Sequence, residues 1–172
     1  CKRKQVMYKN ESQMYPEVQM WLNKLLSSSH KKGRIEVFNT SSISLWKFLK
    51  KKRYDRYFDN YITYEIRVDV TGIVIKKEKA FLSFVECKMS PISLKDVSQL
   101  IGYSKVAMPE YAIIISPKGV SRCLNYLLRS YDRYDILDYG NGRKVKIGVW
   151  DSTKKEIDIR SILPPGEHLS HR

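Results

Sequence analysis

The feature that most constrains the fold is a short apolar stretch that ends in charged residues. Residues 80–85 read Ala-Phe-Leu-Ser-Phe-Val, and Glu86, Cys87 and Lys88 follow directly. Side chains of an extended strand alternate between its two faces, and both faces of this stretch are largely apolar. Such a strand is typical of the centre of a sheet that is covered on both sides. We therefore expect an α/β domain in which this strand ends in charged residues.

The same alternation determines which of the charged residues point the same way. Glu86 and Lys88 share one face of the predicted strand with Leu82 and Phe84, whereas Cys87 belongs to the opposite face. A carboxylate and an ammonium group are therefore expected side by side at the end of the strand.

A second β-forming stretch, residues 66–74, brings another carboxylate towards this end. Polar and apolar residues alternate from residue 61 to 71, and Asp69 lies on the more polar face. Residues 76–79, Lys-Lys-Glu-Lys, predict the turn of an antiparallel hairpin, although they lack the strong Asn-Gly signature. Such a hairpin would bring Asp69 towards Glu86.

This arrangement resembles the signature of the PD-(D/E)xK nuclease superfamily, in which an Asp is followed by Glu-x-Lys on the next strand. Asp69, Glu86 and Lys88 match that signature, and Val68 stands at the permissive position where the family usually has proline. The resemblance covers residues 14–117. It implies a restriction-endonuclease-like or resolvase-like α/β fold with an αβββαβ core, in which helices flank a mixed central sheet.

A helix is predicted over residues 93–106, because a Ser-x-x-Asp cap begins a segment with an apolar stripe at helical spacing. Gln99 and Tyr103 lie one turn apart in it. Their spacing resembles the Gln-x-x-x-Tyr element that follows the Glu-x-Lys strand in several branches of the superfamily. The resemblance implies that both residues support the site or contact the DNA backbone. Ordinary surface positions on the helix are the alternative.

An earlier helix is predicted after Pro16 by apolar residues at helical spacing, namely Val18, Trp21, Leu22, Leu25 and Leu26. Glu17 lies beside this stripe. In many members of the superfamily an acidic residue of the first core helix approaches the metal, and Glu17 is the candidate for that role. Its alternative explanation is a favourable negative charge in the first helical turn.

The remaining segments complete a single domain over residues 1–163. Residues 111–117 predict a strand, 119–130 a helix and 145–150 a late strand that extends the sheet. The chain has 172 residues and no linker rich in Pro, Gly or Ser divides it. Residues 164–172 are expected to form a flexible tail.

Charge indicates a nucleic-acid partner, DNA, because the chain carries a formal net charge of +14. Four basic clusters could form the contact surface: Lys2-Arg3-Lys4; Lys31, Lys32 and Arg34; Lys50, Lys51, Lys52 and Arg53; and Lys76-Lys77. Acidic membrane lipids and simple solubility are the alternative explanations. The aromatic residues that follow the third cluster are expected to pack in the core rather than stack on bases: Tyr54, Tyr57, Phe58 and Tyr61.

Two carboxylates in a basic protein favour a hard cation with oxygen ligands, Mg²⁺ or in its place Mn²⁺. The expected ligands are Asp69, Glu86, the Cys87 backbone carbonyl and, if it reaches the site, Glu17. Lys88 would orient water or stabilise the transition state. A structural alternative is that the two acids form ion pairs at the strand ends with Arg67 and Lys88. The three histidines form no convincing metal or general-base cluster: His30, His168 and His171.

Cys1, Cys87 and Cys123 form neither a paired framework nor a zinc-spacing motif, which fits a reducing compartment. No long apolar span or signal-like start occurs in the sequence. We therefore expect a soluble intracellular protein, cytoplasmic or nucleoid-associated, that does not bind membranes.

The leading hypothesis is a Mg²⁺-dependent DNA endonuclease that acts on duplex or branched DNA, as a homodimer when both strands are cut. The alternative hypothesis is a non-catalytic nucleic-acid-binding module that retains the nuclease fold.

Overall fold

The computed structural model describes residues 7–169, which form an α/β domain around a curled mixed sheet. Within these residues the strands are β1 Arg34–Asn39, β2 Val70–Lys76, β3 Lys79–Cys87, β4 Tyr111–Ser116, β5 Asp138–Gly140, β6 Arg143–Lys144, β7 Lys146–Asp151 and β8 Glu156–Ile157. The α-helices of the same part of the chain are α1 Tyr15–Ser29, α2 Leu45–Lys51, α3 Leu94–Ala107 and α4 Arg122–Asn125.

The main sheet of the described region has six strands in the order β1-β2-β3-β4-β7-β8. The first three strands are antiparallel neighbours, β3, β4 and β7 run parallel, and β8 returns antiparallel to β7. β5 and β6 form a separate small ribbon. β3 lies in the interior of the sheet and carries buried residues on both faces, such as Phe84 and Val85, as its apolar composition predicts.

The β2–β3 hairpin confirms the predicted antiparallel pairing and its turn. Val70 pairs with Val85 at one end and Lys76 pairs with Lys79 at the other. Lys77 in the turn has a φ of 52°, in the left-handed region that tight hairpin turns require.

The predicted strand over residues 66–74 begins four residues too early, because β2 starts at Val70. Residues 61–63 form a 3₁₀ turn, and the following segment up to Val68 lies outside any strand. Tyr64, Ile66 and Val68 are nevertheless buried. In this irregular segment every second residue is buried. The sequence therefore shows the alternation of apolar and polar residues that is typical of a strand.

Two hydrophobic clusters lie on opposite faces of the sheet. The cluster under α1 includes Leu22, Leu26, Val70, Val74 and Val85. The cluster under α2, α3 and α4 includes Leu49, Leu100, Leu124, Phe84 and Ile114. Gly72 allows α1 to approach β2, because a Cβ at this position would lie 2.6 Å from Leu26 Cδ1.

The other predicted elements are largely confirmed. α1, α3, β4 and β7 form where the sequence places them, and Ser93 and Asp96 make a reciprocal capping box at the beginning of α3. The helix predicted over residues 119–130 is shorter, since α4 has four residues and continues as a π-helical turn, Tyr126–Ser130. β1 is a strand that the sequence patterns did not locate.

The described part of the predicted tail contacts the domain. Lys146 Nζ donates to the His168 carbonyl at 2.7 Å, and Leu169 packs against the cluster under α1. The flexibility of the tail stays a prediction. Lys2-Arg3-Lys4, Cys1 and His171 lie outside the described residues. None of the helices within residues 7–169 has the length and apolar character needed to cross a bilayer.

Candidate active site

The candidate site lies at the open end of the β2–β3 hairpin. Asp69 precedes Val70 and Glu86 follows Val85, so the paired register places the two acids on adjacent strand ends. The Cys87 backbone N–H donates to Asp69 Oδ2 at 2.8 Å, which links the two strands at this point. The structure therefore brings together the acidic residues that the sequence proposed.

Asp69 is held in place by a second donor from α1. The Tyr15 hydroxyl donates to Asp69 Oδ1 at 2.8 Å. Burial and the hydrogen bond to Asp69 raise the pKa of Tyr15 above its ordinary value, so the phenol keeps its proton at neutral pH. With one donor on each oxygen, the Asp69 carboxylate has a defined orientation and retains lone pairs for a further ligand.

Glu86 is a largely enclosed carboxylate, with a side chain 12 % exposed. Its Oε1 lies 3.3 Å from Lys88 Nζ, whereas Oε2 is buried and has no hydrogen-bond partner among the described residues. Burial, with the nearby charge of Asp69, raises the pKa of Glu86 to about 7, although Lys88 opposes the shift. The ion pair with Lys88 therefore only partly offsets the cost of holding a negative charge on Glu86.

Lys88 lies between two carboxylates, since its Nζ is also 3.8 Å from Asp96 Oδ1 at the beginning of α3. Burial lowers the pKa of Lys88, but the negative charges of Glu86 and Glu11 outweigh it and leave the pKa raised. Lys88 therefore stays an ammonium group at neutral pH. It can donate hydrogen bonds or stabilise negative charge, but it is not suited to act as a base.

Cys87 contributes through its backbone rather than its thiol. The side chain is buried in the cluster under α1, and this burial raises the pKa of the thiol well above its usual range. In an extended strand, the N–H and C=O of one residue point to the same neighbouring strand. Because the Cys87 N–H points to Asp69, its carbonyl faces the same side and fits the predicted role as a ligand.

Glu17 has other partners. Its Oε2 accepts a hydrogen bond from the Tyr8 hydroxyl, and its Oε1 lies 3.1 Å from Lys155 Nζ. Trp150 Nε1 in turn donates to the Tyr8 hydroxyl at 2.9 Å. A role of Glu17 as a metal ligand stays a prediction, and the residue of α1 that touches Asp69 is Tyr15.

The donor set suits a hard cation with few protein ligands. Residues 7–169 contain no group of three or more His, Cys, Asp or Glu side chains that could hold a metal. Asp69 and Glu86 supply two carboxylates, and the unpartnered Glu86 Oε2 is the atom that a cation would satisfy. Mg²⁺ commonly uses one or two carboxylates and keeps several waters, so these residues fit that ion.

Gln99 and Tyr103 lie on the flank of α3 that begins with Asp96. Gln99 Nε2 donates to the Tyr103 hydroxyl at 2.9 Å. Residues three and four apart are neighbours on a helix surface, so Asp96, Gln99 and Tyr103 form one row. Asp96 connects this row to Lys88. The supporting role of the pair stays a prediction.

Two of the predicted basic clusters, Lys31, Lys32 and Arg34, and Lys76-Lys77, lie at the other end of the hairpin from the site. Arg34 pairs with Ile75 at the turn end of the hairpin, and Lys31 and Lys32 directly precede it. β3 has nine residues at ~3.3 Å each, which separates the two ends by about 25 Å. Arg34 also forms an ion pair with Glu36.

The third cluster, Lys50, Lys51, Lys52 and Arg53, ends α2, and Lys52 Nζ lies 4.9 Å from the centre of the Phe38 ring. Tyr54 is buried, and Tyr57, Phe58 and Tyr61 pack against the same core, so these aromatic residues pack in the core as expected. The DNA contacts proposed for the basic clusters stay predictions.

The sequence did not indicate Tyr15 and Asp96 as partners of the site. Its pattern identifies Asp96 only as a helix cap, a role that the residue also fills, since its Oδ2 accepts from the Ser93 N–H at 2.8 Å. Tyr15 gave no signal beyond its place before Pro16, at the start of a predicted helix. Its contact with Asp69 depends on how α1 is rotated against the sheet.

The chain matches no protein-family model, no curated protein and no solved structure. What the protein does must therefore be inferred from its residues and their chemistry.

Proposed function

We propose that the protein is a Mg²⁺-dependent DNA endonuclease with a restriction-endonuclease-like PD-(D/E)xK core. The main support is the group formed by Asp69, Glu86 and Lys88, in which a buried carboxylate oxygen lacks a partner among the described residues. The order of elements adds support, because without α2 the chain from α1 to β4 reads αβββαβ. A formal net charge of +14 suits a polyanionic substrate.

In this proposal, Asp69, Glu86 and the Cys87 carbonyl would hold Mg²⁺, for which Mn²⁺ could substitute. When bound, the ion would lower the pKa of a coordinated water and neutralise charge on the phosphate. Tyr15 and the Cys87 N–H orient the Asp69 carboxylate for this role. Lys88 orients the attacking water or stabilises negative charge on the phosphate in the transition state.

The second candidate is a non-catalytic nucleic-acid-binding module with the same fold. One observation favours it: within residues 7–169 no group of three or more potential metal-ligating side chains occurs. The two candidates share DNA binding and differ in cleavage. The position of Asp69, Glu86 and Lys88 on adjacent strand ends favours the enzyme, because binding alone does not require a largely buried glutamate beside a second carboxylate.

The direct test is cleavage of linear duplex, single-stranded, flap and four-way-junction DNA in the presence of Mg²⁺, Mn²⁺ or EDTA. We expect cleavage with either metal and none with EDTA. Asp69→Asn, Glu86→Gln and Lys88→Met should each abolish it in folded protein. Glu78→Gln is the matched control, since Glu78 is an exposed acid in the hairpin turn at the opposite end of β3. If none of the substrates is cleaved with either metal, the non-catalytic module becomes the better proposal.

The homodimer remains part of the proposal for substrates in which both strands are cut. Sedimentation velocity of the protein with and without duplex DNA tests it. A sedimentation coefficient that matches one chain under both conditions would contradict it.

A further inference from the structure

A cleft lies between α2 and α3 on the same face of the sheet as Glu86. Its volume is about 420 Å³. We call it the α2–α3 cleft, and six residues line it: Ser44, Trp46, Lys47, Glu65, Arg67 and Tyr103. Neither Lys47 nor Arg67 belongs to the basic clusters that the sequence singled out.

The α2–α3 cleft is connected to the candidate site by two of its walls. Arg67 lies two residues before Asp69, which limits the distance between their Cα atoms to about 7 Å. Tyr103 belongs to the row on α3 that begins at Asp96, the partner of Lys88. The lining of the cleft is therefore continuous with the candidate site through the segment that carries Arg67 and through α3.

The position of α2 against the segment before Asp69 is fixed by backbone hydrogen bonds. The Leu45 N–H donates to the Ile66 carbonyl at 2.7 Å, and the Trp46 N–H donates to the Tyr64 carbonyl at 3.2 Å. These bonds anchor the first turn of α2, which carries Lys47. The spacing between Lys47 and the segment that carries Arg67 is therefore a property of the fold.

The two cations of the α2–α3 cleft are not neutralised by ion pairs within the described residues. Lys47 and Arg67 are exposed, and neither forms an ion pair within residues 7–169. Arg34 and Lys155, by contrast, each have a carboxylate partner. Glu65 is the single acid in the lining of the cleft. The cleft therefore presents two free cations to an anionic ligand.

The side chains of the lining also suit a phosphate backbone in their chemistry. An arginine guanidinium can bind phosphate through two parallel hydrogen bonds. Lys47 Nζ lies 5.4 Å from the centre of the Trp46 ring, a cation–π contact that holds the ammonium group near the cleft wall. The hydroxyl groups of Ser44 and Tyr103 add neutral donors that can reach phosphate or sugar oxygens.

We propose that the α2–α3 cleft binds the phosphodiester backbone of the DNA strand that enters the candidate site. Arg67 contacts the phosphate next to the reacting one, and Lys47 contacts a phosphate further along. This inference rests on the proposed function for the identity of the strand, but it concerns binding and not cleavage. The contacts are to the backbone, so they fix the strand's position and do not select a sequence.

The test measures DNA affinity in the Asp69→Asn background, in which cleavage cannot interfere. Arg67→Ala and Lys47→Ala are compared with Lys79→Ala, which removes one positive charge at the exposed, opposite end of β3. Binding of single-stranded and duplex DNA is measured by fluorescence anisotropy between about 50 and 300 mM salt, values of the order at which phosphate contacts are sensitive.

We expect each cleft variant to bind about tenfold more weakly than the background protein, and Lys79→Ala to bind less than about twofold more weakly. The slope of log K against log salt should fall by about 0.7 for single strands or about 0.9 for duplex per lost phosphate contact. Arg67→Lys keeps the charge and should recover part of the affinity. Circular dichroism and thermal unfolding of each variant verify that it is folded.

Equal affinities and equal salt slopes for the cleft variants and Lys79→Ala would overturn the inference, whatever the cleavage assay shows. RNA of the same sequence is measured in the same assay. If the cleft variants lose affinity for RNA but not for DNA, the assignment of the cleft to DNA is overturned. If the cleft variants lose DNA affinity as expected but the wild-type protein cleaves nothing, the inference stands and the proposed nuclease activity fails. DNA binding by the cleft and cleavage at the candidate site are thus tested independently.

Discussion

Glu86→Gln tests the electrostatics of the candidate site without any assumption about the substrate. Glutamine keeps the shape of the side chain and removes its negative charge. Burial and the charge of Asp69 raise the pKa of Glu86 from 4.5 to about 7, so the folded protein holds the carboxylate in an unfavourable environment. The substitution should therefore relieve a cost that the wild-type protein bears at neutral and alkaline pH.

The direction with pH follows from proton linkage. The unfolded chain loses the Glu86 proton near pH 4.5, whereas the folded protein retains it up to about pH 7. The contribution of Glu86 to the free energy of unfolding is therefore fully present below pH 4.5. It is lost as the pH rises through about 7. The difference between the two pKa values, at about 1.4 kcal/mol per unit, corresponds to about 3 kcal/mol.

The assay is urea unfolding of wild-type protein and Glu86→Gln in EDTA at several values between about pH 4 and pH 8.5. The free energy of unfolding of the variant, relative to wild type, should increase by about 3 kcal/mol across this range. Glu78→Gln removes an exposed carboxylate from the hairpin turn and should give a much smaller change. A difference between wild type and Glu86→Gln that is constant with pH, or that falls as pH rises, would refute the reasoning.

Three further predictions concern the metal, the positioning of Asp69 and the packing of α1. Mg²⁺ at about 100 times its Kd should stabilise wild-type protein by about 2.7 kcal/mol in thermal unfolding at about pH 8, with no such gain for Glu86→Gln or Asp69→Asn. Tyr15→Phe removes the donor to Asp69 Oδ1 and should slow DNA cleavage about tenfold, while duplex binding stays at the wild-type level. Gly72→Ala should destabilise the fold by about 1–3 kcal/mol in urea unfolding, because its Cβ would lie 2.6 Å from Leu26 Cδ1. If Gly72→Ala is as stable as the wild-type protein, the close packing of α1 on β2 does not require glycine at this position.

The parts of the fold that the sequence predicted well are those specified by neighbouring residues. The apolar stretch before Glu86 and the turn at Lys77 define the hairpin through alternation and local backbone conformation. α3 begins where its Ser93 and Asp96 cap predicts. The early start assigned to β2 shows the limit, because alternating burial before Val70 arises from packing of an irregular segment beneath α2.

The candidate site was predictable in its two acids and in Lys88 beside Glu86, and not in the partners that α1 and α3 supply. Asp69 and Glu86 could be paired from the hairpin alone, because antiparallel register follows from the turn. The basic residues could not be placed, since charge runs in the sequence do not specify which surface they reach. Arg34 lies at the turn end of the hairpin, whereas the isolated residues Lys47 and Arg67 line the α2–α3 cleft.

By itself, the sequence determined the layered α/β class, the hairpin and the two acids at its open end, because strand alternation and helix caps operate over a few residues. Only the tertiary structure decided what surrounds those acids. Tyr15 reaches Asp69 across 54 positions of sequence, and Tyr8 meets Trp150 across 142. Such contacts depend on the rotation of helices against the sheet and on the path of long connections. The largely buried and only partly compensated charge of Glu86 is likewise a property of the packed site, because desolvation exists only when the neighbouring elements have closed around it.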